Sequence, residues 1–293
     1  MALRRSGLEQ AREFIAKNAR LLDRHRFAFL FERASPDAVV AALRPYQNPD
    51  GGFGHALEPD LRTRLSQPVP TWTALWILDE AGRFDREMVD RALAYLEQVE
   101  IPGGGVPFVL RSASDSPHAP WWETGRGKVS ASINPTAGIA AVLFKHKMRS
   151  PWLDRAGAWC WQRIDRIRAV NPYEMRVTLS FLDHVPDRDR AAQALERLRP
   201  KILSEVELDV RSKKDAFRPL DYAPEPGLLS RQLFSVTEIE HQLDGLERAQ
   251  RSDGGWPIHF PIWTPITRFE WRGCQTVDML KILQRNGRLG SGA

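Results

Sequence analysis

Apolar residues recur along this chain three and four positions apart, and two kinds of helical segment take turns. Segments 36–45, 86–98, 151–167, 189–203 and 236–249 carry one apolar stripe and an otherwise polar surface. Segments 71–81, 135–147, 172–184 and 276–285 are apolar almost all round. A striped helix belongs at a surface, and one apolar on every side must be enclosed. Their alternation predicts an inner and an outer layer of helices. Caps support the starts: Ser35-Pro36-Asp37, Asn134-Pro135, Ser150-Pro151 and Asn171-Pro172 each place a capping side chain before a first-turn proline. An N-terminal helix is expected from about Leu8 to Leu22, pairing with the last one, Thr276 to Leu283. Between the helices lie long inserts at 47–70, 99–133, 204–229 and 250–275, rich in proline and glycine. Inserts of that length are commonly functional loops. Strand signals are confined to Phe108–Leu110 and Glu207–Val210, and neither requires a sheet.

Two segments repeat. Gln47-Asn48-Pro49-Asp50-Gly51-Gly52-Phe53 and Gln250-Arg251-Ser252-Asp253-Gly254-Gly255-Trp256 each follow a striped helix. A weaker third runs from Gln98 through Gly103-Gly104-Gly105 to Phe108. The glycines permit a tight turn with positive φ, the glutamine amide can bond helix-end backbone groups, and the ring covers the turn. Asp50 and Asp253 read as structural turn residues. This arrangement resembles the QW repeat of squalene and hopene cyclases and the Gly-Gly-aromatic repeat of protein prenyltransferase beta subunits. The resemblance covers about residues 36–285. It implies an all-α fold, an alpha/alpha toroid (barrel) of about five to six helical hairpins with long functional loops. Residues 1–286 then form one toroid domain, and 287–293 a flexible tail. The chain is far shorter than two-domain hopene cyclases, so at most one toroid is expected.

Composition narrows the partners. The 293 residues carry 42 basic and 37 acidic side chains, and the basic ones form no dense tract. No nucleic-acid partner is expected, because such partners need a concentrated positive surface. Two cysteines are too few for a disulfide framework, no apolar run reaches a membrane span, and the amphipathic N-terminus resembles no leader. A cytoplasmic protein without a transmembrane segment is the expectation; its oligomeric state is not encoded in any motif.

The chemistry-bearing candidates lie in the inserts. The terpene cyclases that protonate an alkene use a DxDD motif, and the metal-dependent ones a DDxxD cluster; neither occurs here. Prenyltransferases hold zinc on Asp, Cys and His, with Asp and Cys one residue apart. Cys274 has Arg272 and Gly273 before it, so neither a metal nor another cofactor is expected. His55, Glu58 and Asp60 crowd one insert just before the 71–81 helix. A carboxylic acid in an apolar pocket, beside a second carboxyl, can serve as a proton donor. Asp60 is the first candidate acid and Glu58 the second, with His55 beside them. The alternative is that these acids pair with Arg62 or Arg64. In the next insert His118 is a candidate base, and the adjacent Trp121 and Trp122 cannot both face one core. Trp72 and Trp76, one turn apart on an inner helix, join Trp121, Trp122, Tyr222, His259, Trp263 and Trp271 as candidate substrate-binding groups. Trp263 and Trp271 read as part of a fourth aromatic loop with Phe269 and Cys274. Aromatic faces stabilise cations and bind apolar ligands.

The favoured reading is a terpene-cyclase-like enzyme using general acid catalysis on a small apolar, isoprenoid-like substrate, by cyclisation or isomerisation in an aromatic-lined cavity. Arg62, Arg64, Arg111, Arg126 and Lys128 are basic groups that could meet a diphosphate. A carbohydrate-active lyase or hydrolase on the same helical toroid is the alternative, and a non-catalytic binding scaffold the third.

Overall fold

Proline in the first turn and a capping side chain start several helices where the sequence places them. The computed structural model describes residues 5–125, 127–212 and 216–289. Arg126 and residues 290–293 of the expected tail therefore lie outside the described residues. Among the described residues there are twelve α-helices: α1 (Arg5–Asn18), α2 (Leu21–Glu32), α3 (Pro36–Leu43), α4 (Pro68–Glu80), α5 (Arg86–Gln98), α6 (Ile133–Lys145), α7 (Pro151–Asp165), α8 (Pro172–His184), α9 (Arg188–Glu205), α10 (Pro219–Tyr222), α11 (Val236–Arg248) and α12 (Pro265–Arg285). Only isolated bridges of extended backbone occur among the described residues. This is the all-α composition, about six hairpins, that an alpha/alpha toroid requires. No described helix is long and apolar enough to cross a membrane.

The chain divides into two compact units. One comprises residues 43–202, the other 1–42 with 203–293. Within the 43–202 unit, α6 packs against α4, α7 and α8, while α5 packs against α4 and α7. α6 buries every residue from Thr136 to Leu143, as a helix enclosed on all sides must. α5 and α7 bury one stripe each: Met88, Val89, Ala92, Leu93, Tyr95 and Leu96 on the first, Trp152, Leu153, Ala156, Cys160 and Ile164 on the second. Ser150 Oγ accepts from Leu153 N at the start of α7, and Asn171 Oδ1 caps α8 through Tyr173 N and Glu174 N.

In the other unit α1 packs on α2 and α12, α2 on α12, and α11 on α10 and α12. The N-terminal helix thus pairs with the last, as expected. Two boundaries differ from the sequence reading. The expected 8–22 helix breaks at Ala19-Arg20, and a second helix follows. α2 shows no apolar stripe because two of its inward positions are charged. Arg26, fully buried, donates to Asp23 Oδ1 at 3.0 Å and Asp278 Oδ1 at 2.6 Å. The other difference is at α12, which begins at Thr264-Pro265 with a hydroxyl cap rather than at Thr276. Phe269, Trp271 and Cys274 are therefore helical and not in a loop. Cys274 Sγ lies 3.4 Å from the Arg26 guanidinium, and burial, then Asp278 and Asp23, push its thiol's proton affinity up.

The repeated segments form three matching corners. Gln47 Nε2 donates to Gly51 O at 2.9 Å and to Met88 O at 2.9 Å on α5. Gln250 Nε2 does the same to Gly254 O at 2.9 Å and Gly7 O at 2.7 Å on α1. Asp50 Oδ1 accepts from Gly52 N and Ser66 Oγ, while Asp253 accepts from Gly255 N and pairs with both Arg272 terminal nitrogens. Both aspartates are turn residues. At the third corner, Ile101 N bonds Gly105 O as Asn48 N bonds Gly52 O and Arg251 N bonds Gly255 O. That register corrects the sequence reading. Glu100, not Gln98, fills the glutamine position, and it binds Arg155 of α7. Val106, not Phe108, fills the aromatic position. Every corner ends alike: the N–H groups of Phe53, Val106 and Trp256 donate to the hydroxyls of Thr71, Thr136 and Thr276, all fully buried on the next helix.

Candidate functional site

The 54–67 and 107–131 segments of the 43–202 unit bring the first candidate residues together. After Phe53 the backbone enters the left-handed region twice, at His55 (φ 55°) and Ala56 (φ 59°). Leu57 N then bonds Gly54 O, and Leu61 N bonds Glu58 O. The resulting coil carries Glu58, Pro59 and Asp60 inward, Glu58 8% and Asp60 3% exposed. His55 instead stays at the exposed edge, where Nε2 donates to Asn48 Oδ1 at 2.9 Å.

The facing segment locks onto this coil. Arg62 N donates to Pro117 O at 3.0 Å and Ala119 N to Asp60 O at 2.9 Å, leaving Leu61 opposite His118. A short turn at Pro120–Trp122 follows and aims Trp122 back at Asp60. Trp122 Nε1 donates to Asp60 Oδ1 at 2.9 Å. Its ring stacks on Phe108, with centroids 4.9 Å apart and planes 7° from parallel. The other end of the insert is held by Gln67, whose amide donates to Ser112 Oγ and accepts from Leu110 N. Glu58 accepts from the Thr73 hydroxyl on α4. Neither Thr73 nor Gln67 carried a motif that would have marked it.

His118 lies between two acceptors: Nδ1 is 2.6 Å from Ser116 O, and Nε2 is 2.9 Å from Glu123 Oε2. An imidazole satisfies both only as the cation. Its pKa is raised, first by the Ser116 carbonyl and then by the Glu123 carboxylate. Trp72 and Trp76 are half-buried on α4. Trp72 lies over Gly138 of α6, where a Cβ would meet the indole at 2.6 Å. Trp121 is 40% exposed, while its neighbour Trp122 is buried, so the two rings do part company. Of the basic candidates, Arg111 donates to Gly127 O at 2.7 Å.

The remaining aromatic candidates belong to the other unit. Tyr222 is 3% exposed, at the end of the short α10, with Phe217 edge-on at 5.6 Å. Burial, then Asp221 and Glu205, raise the proton affinity of its phenol. His259 is exposed and Trp263 half-buried. Trp271, on α12, meets Phe260 edge-on at 5.2 Å.

No family model matches the sequence. Drimenyl diphosphate synthase of Streptantibioticus cattleyicolor is 30% identical over 231 residues, which cover 75% of this chain. The chain spans 41% of that relative's length. Among solved structures, a protein from Actinoplanes is similar with a TM-score of 0.64 at 14% identity, over 96% of this chain and 99% of its own. The type II terpene cyclase MstE from Scytonema matches with a TM-score of 0.56 at 15% identity, over 97% of this chain and 88% of its own. A variant of MstE in complex with its product, merosterolic acid A, gives 0.51 at 16% identity, over 94% and 86%. At these identities the likeness establishes a fold, and that fold is the all-α toroid class of type II terpene cyclases.

Proposed function

We propose that this chain is a terpene-cyclase-like enzyme in which Asp60 protonates an alkene of an isoprenoid substrate. The observation that carries the reading is a carboxyl 3% exposed, held by an indole N–H, on a coil that also buries Glu58. A buried carboxyl held in one orientation beside a second acid suits general acid chemistry. The fold of type II cyclases and the partial similarity to a drimenyl diphosphate synthase support an isoprenoid as the substrate class.

The step balances as follows. The Asp60 proton adds to one alkene carbon, and the π pair becomes the new C–H bond. The carbocation left on the other carbon is attacked by a neighbouring alkene, closing a ring. Loss of a proton from the final cation to water restores an alkene, and water reprotonates the carboxylate. α4, whose Thr73 reaches Glu58, also carries Trp72 and Trp76, and aromatic faces stabilise developing cations.

The test is turnover of farnesyl diphosphate and geranylgeranyl diphosphate, with products read by gas chromatography and mass spectrometry after dephosphorylation. Asp60→Asn is expected to lose about a hundredfold or more in kcat, the usual range for a missing general acid. Undiminished turnover by this variant would refute the assignment.

A further inference from the structure

The 107–131 insert does more than cover the coil, because Trp122 bonds the Asp60 carboxyl itself. We propose that Trp122 is the positioning residue for Asp60, fixing the carboxyl's rotamer and setting how readily it releases its proton. This rests on Asp60 being the acid.

Three features converge on that role. The indole cannot drift, because Phe108 is stacked 4.9 Å from it and the 120–122 turn holds its backbone through Trp122 N to Ala119 O. The same short pairing that places Ala119 N on Asp60 O places Trp122 Nε1 on Asp60 Oδ1, so backbone and side chain of one residue are gripped by one segment. Trp122 is itself 4% exposed, and little water competes for the bond. An N–H donated to a carboxyl oxygen stabilises the anion left after proton transfer, so it strengthens the acid at the moment of reaction. The other charged or titratable groups described on the 54–67 and 107–131 segments are His55, Glu58, Arg62, Arg64, Arg111, Asp115, His118, Glu123 and Lys128, and the acids of α4, Asp79 and Glu80, sit at its far end.

Trp122→Phe keeps a ring against Phe108 and removes the donor, at the cost of a smaller side chain. The expected result is a fall in kcat on the order of tenfold with little change in KM, and an alkaline limb of the kcat profile moved to higher pH. The limb shift should persist in a His118→Gln background, which removes the histidine of the facing segment. A purely structural role would lower the amount of folded enzyme and leave the limb in place.

A second measurement needs no turnover. The Trp122 indole resonance, identified among ten tryptophans by its loss in Trp122→Phe, is followed by NMR from pH 4 to 9. It is expected to move with pH in the wild type and to stay still in Asp60→Asn. A signal that does not titrate in the wild type, or that titrates equally in both, overturns the proposal. If Asp60→Asn retains turnover, the reading of Asp60 as the acid falls. If Asp60→Asn is inactive while Trp122→Phe keeps the wild-type kcat and limb, only the role of Trp122 falls.

Discussion

Gly254→Ala isolates what the corners contribute. Gly254 sits at φ 91°, and an added Cβ would lie 2.1 Å from Gln10 O and 2.5 Å from its carbonyl carbon, both backbone atoms of α1. Relief requires the turn and α1 to separate by about 1 Å, which stretches the Gln250–Gly7 bond from 2.7 Å. An alanine forced into the left-handed region costs about 1–2 kcal/mol. Overpacking adds ~1–3 kcal/mol, and the weakened, partly buried hydrogen bond about 1 kcal/mol more. The expected loss is therefore ~3–6 kcal/mol. Gly82→Ala is the control, because Gly82 also has positive φ (59°) but nothing within 4 Å of its would-be Cβ. It should cost only ~1 kcal/mol. Urea denaturation followed by circular dichroism measures both. Equal losses, within about 0.5 kcal/mol, would show that the corner does not press on α1 as described.

Two further outcomes can be measured on the same footing. Thr136→Val, nearly isosteric, removes the acceptor of the buried Val106 N–H and should cost ~1–3 kcal/mol in a denaturant titration, with a similar loss from Thr71→Val and Thr276→Val. Losses below ~0.5 kcal/mol at all three would remove the threonine from the repeat's design. His118 has a raised folded pKa, so its contribution is complete below the unfolded value and fades as pH climbs through the folded one. The Tm gap between wild type and His118→Gln should accordingly narrow from pH 5.5 to 8.5, and a constant gap would show that the Ser116 and Glu123 contacts do not follow protonation.

Periodicity revealed the helices whose surroundings are simple. α4, α5, α6, α7 and α8 begin within three residues of their expected starts, because one stripe, or none, fixes each helix's place. α2 escaped because Asp23 and Arg26 occupy inward positions, and a pair of neutralised charges looks polar to any pattern of single residues. The stripe of α12 becomes regular only at Thr276, because its first turns carry Ile266 and Phe269 outward, 68% and 49% exposed. At the site, crowding of His55, Glu58 and Asp60 was visible, but the left-handed pair His55-Ala56 that turns only the two acids inward was not. Nor could spacing reveal Trp122 as a partner of Asp60, since a contact across 62 positions depends on how two inserts fold against each other. The third corner shows a related limit. Glu100 with Arg155 replaces an amide reaching a carbonyl, so a search for glutamine passes it by.

The charged cluster on α2 settles a question that oily surfaces leave open. Leu22, Phe27 and Phe31 would accept several seatings against α12, for apolar contact is indifferent to a slip of one turn, about 5.4 Å. Such a slip would carry Arg26 away from Asp278 and leave it only Asp23 of its own helix, the loss of one charge-assisted hydrogen bond worth ~1–3 kcal/mol. A guanidinium shared between a carboxylate of its own helix and one of α12 thereby indexes α2 against α12, like a pin in a lock.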